Sequence, residues 1–543
     1  MATDAGFAAP LPGAVSPPAS APDPTPIPAP ARPKSATLTR RASLTAVASL
    51  LDYAVKAGVS LVITPILVGT LGRSLYGIWE MLGRLIGYMA ATDGRPTEAL
   101  RLVISQQQAA DPDANRRAIG AALAVWVIMF PLVALVGGVL SWFAPILTHA
   151  PAESHAAVRL ASVILVGSFM LTGLAAVPES TLRGMNLGYK RMGLQAGLSI
   201  IVGALAAWAV KSGFGLPGIA FSQIFRALIT GIVFWVLVKH YVPWFRVAKP
   251  TRATVKALFG MSVWLSVGDL LAKLLLASDV LVLGWIISPA AVTTYVLTSY
   301  AARTGTGVFV FTAGAAMPGF GGVLGRKQFA TATKLRHELR MLTWLFTTVI
   351  GATILAWNHS FLHLWVGSRN YAGEWVNLLI VCIALQTAFI RTDSYIIDAA
   401  LKPRARVIFG AITVVATLTL GVVLTHALGI VGLCLGMLAG RAIQSIAYPL
   451  IVHSCLEKPR TKLTERLAAV RMACTTALLF AAAQVAARLV IAPNWAIWLA
   501  GVVMTMAFVA TFTLLLGPTR SDRRLIIGRI RAMITGLRPK TGG

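Results

Sequence analysis

The chain has 543 residues, of which 57% are hydrophobic and only 12% charged, and its mean hydropathy is +0.75. An average soluble domain carries about 25% charged residues, so this composition excludes a soluble globular protein and indicates an integral membrane protein. The formal net charge of +29 does not indicate nucleic-acid binding, because the basic residues lie in short loops between apolar segments.

The first segment, residues 1–43, is rich in Pro and Ala and has no apolar core, so we expect a disordered cytoplasmic tail. Apolar segments of about 20 residues, each long enough to span a bilayer, follow it. Fourteen are predicted, near 44–70, 75–92, 118–143, 157–178, 193–211, 215–238, 258–287, 290–316, 341–362, 374–392, 405–427, 429–452, 467–491 and 494–516.

The distribution of positive charge predicts the orientation of these spans. With the N-terminus in the cytoplasm, about 37 of the 48 Lys and Arg residues lie on the cytoplasmic side. This excess predicts that both termini are cytoplasmic. The predicted divisions are two six-helix lobes at 44–240 and 258–453, a cytoplasmic linker at 241–257, two further helices within 454–517 and a basic cytoplasmic tail at 518–543.

The sequence repeats itself after six spans. "SLLDYAVK", which ends at Lys56, shares its Ser-x-x-Asp-x-x-x-Lys spacing with "SVGDLLAK", which ends at Lys273. The stretches 180–240 and 395–453 also match: each has a basic loop, a span, a short Gly-rich turn and a second span with an arginine, Arg226 or Arg441, that we expect to be buried. Six is an even number, so the two halves are predicted to share one orientation, as in transporters with parallel repeats.

An arrangement of twelve repeated spans followed by two more resembles that of the multidrug/oligosaccharidyl-lipid/polysaccharide exporter superfamily. "ITPILVGTLGRSLYGIWEMLGRLIGYMAATDG", residues 63–94, is similar to the first two helices of its polysaccharide-synthesis flippases, and residues 278–303 resemble the start of their second half. The resemblance implies a V-shaped pair of bundles around a central cavity. It also implies a flippase that moves a lipid-linked oligosaccharide across a bacterial inner membrane while the polyprenyl tail stays in lipid.

Charged residues inside the predicted spans are the candidate site. A charge at bilayer depth costs about 2.5–3.5 kcal/mol on insertion scales, so such residues usually face a cavity or a partner. Phosphate oxygens suit arginine in particular, and the predicted cavity cations are Lys56, Arg84, Lys273 and Arg303. A second tier, which can instead reach lipid phosphates at the interface, comprises Arg226, Arg391 and Arg441.

Four acids are candidates for coupling to protons or sodium: Asp52, Glu80, Asp269 and Asp279. Three of them have a cation four residues away on the same helix, so mutual neutralisation is the alternative explanation. Asp279 has no such cation and is the least explained. The Gly-rich run at 319–326 is interpreted as a flexible connector, and no metal site or cofactor is predicted.

We therefore expect an all-α polytopic membrane transporter rather than an enzyme. Its predicted partners are undecaprenyl-pyrophosphate-linked oligosaccharide and membrane lipids, and polysaccharide polymerase and export proteins are candidates that no motif identifies. The leading hypothesis is a flippase that moves lipid-linked oligosaccharide repeat units from the cytoplasmic to the outer face of the inner membrane by alternating access, for polysaccharide biosynthesis. A cation-coupled multidrug antiporter of the same fold is the alternative, and a membrane glycosyltransferase or polymerase is a third hypothesis. The sequence does not decide between a coupling ion and the membrane potential.

Overall fold

The computed structural model describes residues 35–106, 112–185, 187, 192–314, 317–400, 403–456, 463–519, 522–524 and 526–528. The features discussed below lie in the unit formed by residues 44–543. Helix α1 begins at Ser35, inside the segment predicted as a tail. The rest of that predicted tail and most of the basic tail at 518–543 lie outside the described residues.

The first half of the protein contains helices α1 to α6. Their bounds are α1 Ser35–Tyr88, α2 Pro96–Gln106, α3 Pro112–Leu147, α4 His155–Gly184, α5 Met192–Lys211 and α6 Gly215–Tyr241. The short helix α2 was not predicted. Its sequence nevertheless carries ordinary start signals, since Pro96 occupies its first position and Glu98 its first turn.

The second half contains helices α7 to α12, and two more follow. Their bounds are α7 Arg252–Ile286, α8 Pro289–Gly314, α9 Met317–Gly325, α10 Phe329–Trp365, α11 Glu374–Ala399, α12 Pro403–Cys455, α13 Leu463–Leu489 and α14 Trp495–Leu516. The prediction of a flexible connector at 319–326 was wrong, because most of that run belongs to helix α9. Each half thus has a short helix after its second span.

The helices account for every predicted span. Among the described residues, eleven helices are long and apolar enough to cross a membrane, and two of these, Leu51–Ala91 and Ala405–Cys455, each cover two predicted spans. The span predicted at 290–316 corresponds to helix α8. The predicted all-α polytopic membrane fold is confirmed, and no β-strand occurs in the described ranges.

Glycines interrupt the two longest helices. Gly72 in α1 has φ 77° and Gly429 in α12 has φ 62°, values that residues with a side chain rarely adopt. Gly429 therefore divides α12 into two arms. The arms contact through glycines spaced four residues apart, since a Cβ on Gly436 would lie 2.6 Å from the backbone nitrogen of Gly421 and one on Gly440 would lie 2.5 Å from Cα of Thr417. Such small-xxx-small spacing is typical of close helix packing in membranes.

The two halves contact each other along α1, α7 and α8. At the end predicted to face outward, the Thr293 hydroxyl donates to the Arg73 carbonyl at 2.6 Å. Gly77 lies so close to Pro289 that a Cβ on the glycine would sit 1.8 Å from the proline carbonyl oxygen. Further along the same seam, the hydroxyls of Tyr88 and Ser278 are 2.8 Å apart. The halves are therefore joined by close backbone contact at one end and by polar contacts further in.

Candidate functional site

Each of the four predicted cavity cations lies beside one of the four predicted acids. The nitrogen–oxygen distances are 2.7 Å for Lys56–Asp52, 3.9 Å for Arg84–Glu80, 2.8 Å for Lys273–Asp269 and 2.7 Å for Arg303–Asp279. The first three pairs connect successive turns of one helix, as the spacing predicted. The fourth connects α7 to α8 and supplies the partner that the sequence did not show for Asp279.

Asp279 is the centre of the most buried charge cluster of the site. Its side chain is only 4% exposed, and the Tyr295 hydroxyl donates to its Oδ2 at 2.9 Å. Arg84 and Arg441 also act on this carboxylate electrostatically, and Glu80 acts on Arg303. Two acids and three arginines therefore share one region where α1, α7, α8 and α12 approach each other. The cluster carries a surplus of one positive charge.

Asp269 joins the two halves of the protein nearer the predicted cytoplasmic end. Besides Lys273, it binds Arg95 of the first half at 2.9 Å. Lys273 in turn donates to the carbonyl oxygen of Gly87, also in the first half, at 2.7 Å. Sequence reasoning did not assign Arg95 a role, because its partner lies far away in the chain.

The backbone at Arg95 is strained, which indicates that the position of its side chain is constrained. Arg95 has φ 45°, and the preceding Gly94 has φ 70°. The Asp93 carboxylate accepts the Arg95 backbone N–H at 2.8 Å, which supports this turn. Burial raises the pKa of Asp93 above its ordinary value, although this hydrogen bond and the Arg95 charge oppose the rise. The "TDGRP" turn thus presents the guanidinium that connects the halves.

Glu98 organises the start of helix α2 within the first half. It binds Arg101 at 2.8 Å and Arg183 of α4 at 3.0 Å. Burial alone would raise the pKa of Glu98, but the Arg101 hydrogen bond and the charge of Arg183 bring it below its ordinary value. Glu98 therefore has a structural explanation and does not belong to the charge cluster.

A cavity with a volume of about 480 Å³ lies inside the second half, between α7, α11 and α12. Its cations are the second-tier Arg391 and Arg441, together with Arg406, and its described lining contains none of the four first-tier cations. Arg441 lies 12 residues after Gly429, or about 18 Å along the helix. This depth is well inside a hydrocarbon core of about 30 Å.

Arg226 and Arg441 differ in burial, which corrects the prediction that both are buried. Arg441 is 4% exposed and donates to the carbonyl of Leu275 at 2.9 Å and to Thr387 at 3.0 Å. Arg226 is exposed. The repeat therefore predicts the arginine in both halves, but the prediction that Arg226 is buried was wrong.

Comparisons with known proteins agree with this architecture. Residues 45–322 match the family model described as "Polysaccharide biosynthesis protein". A search of curated protein sequences found no match.

Solved structures with the same fold are membrane transporters and flippases. A structure titled "Lipid II flippase MurJ, inward closed conformation" has a TM-score of 0.64 at 12% identity, over 87% of this chain and 97% of the other. An inward-facing multidrug resistance MATE family transporter of the MOP superfamily has a TM-score of 0.60 at 13% identity, over 75% and 96%. A MATE in complex with MaD3S has a TM-score of 0.56 at 13% identity, over 77% and 97%. At such identities the likeness establishes the fold alone.

Proposed function

Because this chain belongs to the polysaccharide biosynthesis protein family, we propose that it is a flippase for lipid-linked oligosaccharide repeat units. Family and fold together make it an integral membrane transporter of the MOP type. The proposed substrate is an undecaprenyl-pyrophosphate-linked oligosaccharide, and the proposed direction is from the cytoplasmic to the outer face of a bacterial inner membrane. Both termini are cytoplasmic in this proposal.

The observation that carries the proposal is the charge cluster around Asp279. Arg84 belongs to the first half and Arg303 to the second, and both act on the same carboxylate. A pyrophosphate that enters between the halves can replace Asp279 as the partner of Arg303 and Glu80 as the partner of Arg84, because arginine binds phosphate and carboxylate oxygens with the same geometry.

Alternating access requires the contacts between the halves to form and break at opposite ends. At the end that faces outward in this proposal, Gly77 packs closely against Pro289. Nearer the cytoplasmic end, the Arg95–Asp269 ion pair joins the halves. We propose that these two contacts open in alternation. An inside-negative potential favours outward movement of an anion by about 2.3 kcal/mol per charge per 100 mV, so the mechanism needs no nucleotide.

The test combines a deletion strain with a neutralised cluster. In the deletion strain we expect lipid-linked repeat units to accumulate on the cytoplasmic membrane face and surface polysaccharide to be lost. Complementation with Arg84→Gln/Arg303→Gln is expected to leave export abolished while the protein is still inserted. Since removing Arg303 leaves Asp279 buried without its main partner, a further variant adds Asp279→Asn and separates loss of charge from loss of folding.

The matched control removes two charges that are exposed, one from each half: Lys211→Gln/Lys256→Gln. This variant is expected to restore export. Full export by the inserted cluster variant would exclude Arg84 and Arg303 from the mechanism. Unchanged polysaccharide in the deletion strain, together with increased sensitivity to cationic drugs, would favour the multidrug antiporter.

A further inference from the structure

Helix α7 has two functional faces, and only one of them belongs to the charge cluster. Asp269 and Lys273 point towards the first half. Gly268, Ala272 and Leu275 line the cavity of about 480 Å³ on the other side, between α7, α11 and α12. We call this cavity the arginine groove. Of its lining residues, only Arg441 also belongs to the charge cluster of the proposed transport path.

The arginine groove contains more positive charge than the protein neutralises. Arg406 forms an ion pair with Asp398. Arg391 makes no hydrogen bond or ion pair with any residue that the structure describes. Arg441 donates to uncharged acceptors. No Asp or Glu is among the lining residues, so two cations of the groove lack a carboxylate within it.

Unused hydrogen-bonding atoms occur at the buried end of the same groove. The Nε of Arg441 is buried without a hydrogen-bond partner, although this side chain is 4% exposed overall. The Oε1 of Gln444, a residue 3% exposed, is also buried and unpartnered. Buried polar groups in proteins are normally hydrogen-bonded, so the Arg441 Nε–H is a donor that an oxygen of a ligand can satisfy, whereas the Gln444 Oε1 needs a donor of its own.

We propose that the arginine groove is a loading site for a lipid with a pyrophosphate headgroup, occupied before the lipid enters the path between the halves. The choice of this lipid rests on the proposed function. Arg391 and Arg441 have no carboxylate within the groove and can both contact a pyrophosphate diester, and bidentate contact with its oxygens is the preferred geometry of arginine.

The shape and polarity of the groove favour a lipid over a free anion. Trp264, which is 77% exposed, and Val407, which is 47% exposed, line it, so the groove opens to the protein surface beside apolar side chains. Leu271 and Leu275 continue the apolar wall along α7. An isoprenoid chain can lie against this wall, whereas inorganic pyrophosphate would gain nothing from it.

The groove also reaches the charge cluster through one residue. Arg441 donates to the Leu275 carbonyl on α7, and it acts electrostatically on Asp279, one turn further along that helix. A headgroup bound by Arg391 and Arg441 is thereby adjacent to the cations of the transport path. This arrangement suits a site that passes its ligand to the space between the halves.

The experiment is a titration of the purified full chain in detergent with undecaprenyl pyrophosphate, followed by native mass spectrometry. We expect binding by the wild-type protein, a loss of affinity of about tenfold in Arg391→Gln, and a larger loss in Arg391→Gln/Arg441→Gln. Arg391→Gln breaks no hydrogen bond of the described chain. It therefore shows whether the lipid binds in the groove even if the double variant fails to fold. The control is Lys256→Gln, which removes an exposed cation from α7 and is expected to bind like the wild type.

Phosphatidylglycerol and inorganic pyrophosphate are the comparison ligands. Equal binding of phosphatidylglycerol would overturn the choice of a pyrophosphate lipid, and equal binding of inorganic pyrophosphate would overturn the role of the apolar wall. Undiminished affinity in Arg391→Gln would exclude the groove as the binding site of the lipid. Transport in vesicles is measured separately. A wild-type protein that binds the lipid through the groove but moves no lipid would contradict the proposed function, while the binding of a pyrophosphate lipid in the groove would still hold.

Discussion

Each half of the protein contains a groove, and the two grooves differ in charge. In the first half it lies between α5 and α6, has a volume of about 210 Å³ and is lined without a charged residue. In the second half it is larger and lined by three arginines. An offset of 214 residues relates three lining positions of one groove to three of the other, namely Gly193 to Val407, Thr230 to Gln444 and Phe234 to Tyr448.

One position in the helix explains part of this difference, namely why Arg441 lines the second groove while Arg226 does not line the first. At an offset of 214, Arg441 corresponds to Ala227, and Arg226 corresponds to Gly440. Neighbouring residues on an α-helix point about 100° apart, so the arginine of the first half points away from its groove. The comparison shows that a repeat can preserve a charge and a fold while moving the charge from a cavity to the surface.

Replacing a residue of the second half with its equivalent from the first half is expected to cause the largest loss of stability. Gly440→Arg introduces the arginine that the first half has at the equivalent position, Arg226. A Cβ at Gly440 would lie 2.5 Å from Cα of Thr417. The arms of α12 must separate, which we expect to cost about 3 kcal/mol or more. The measurement is thermal unfolding in detergent. Gly410→Ala is the control, since its nearest neighbour is 3.9 Å from the new Cβ, and a similar loss there would contradict this explanation.

Removing Arg441 and removing Arg226 are expected to change the free energy of unfolding by different amounts. Arg441→Gln loses charged hydrogen bonds to Leu275 and Thr387 and is expected to lower the free energy of unfolding by about 1–3 kcal/mol. Arg226→Gln removes an exposed side chain and is expected to change it by less than about 0.5 kcal/mol. Denaturant unfolding of both variants measures the difference. Equal losses would show that burial does not distinguish the two positions.

A smaller loss of stability than in Arg441→Gln is expected on removing the charge of Glu98 in the first half, and this loss depends on pH. The pKa of folded Glu98 is lowered, so its contribution to stability is complete above its unfolded pKa of about 4.5 and is lost as the pH falls through the folded value. Glu98→Gln is expected to cost about 1 kcal/mol at pH 7, a value reduced by solvent screening, and less at pH 3. Thermal unfolding between pH 7 and pH 3 tests this, with the exposed Asp113→Asn as the control. A loss independent of pH would exclude the carboxylate as its cause.

The spans were predictable because each rests on a local property, the length of an apolar run. The short helices α2 and α9 were not, since neither is long enough to span a membrane. Within the site, the Lys273–Asp269 pair follows from i,i+4 spacing. The Arg303–Asp279 pair joins two helices and is 24 residues apart in the chain, and Arg95 reaches Asp269 from the other half. Such contacts depend on tertiary packing, which no local pattern encodes.

Helix α7 is a common wall of the arginine groove and of the seam between the halves, and this has a thermodynamic consequence. A ligand that binds more tightly in the groove when the Arg95–Asp269 contact is open must favour opening by the same factor, because coupling between two sites is reciprocal. Occupation of the groove can then act as the signal that a substrate is present. An empty transporter would stay closed at that end, so the membrane would be protected from idle cycling and from leakage of ions between the halves.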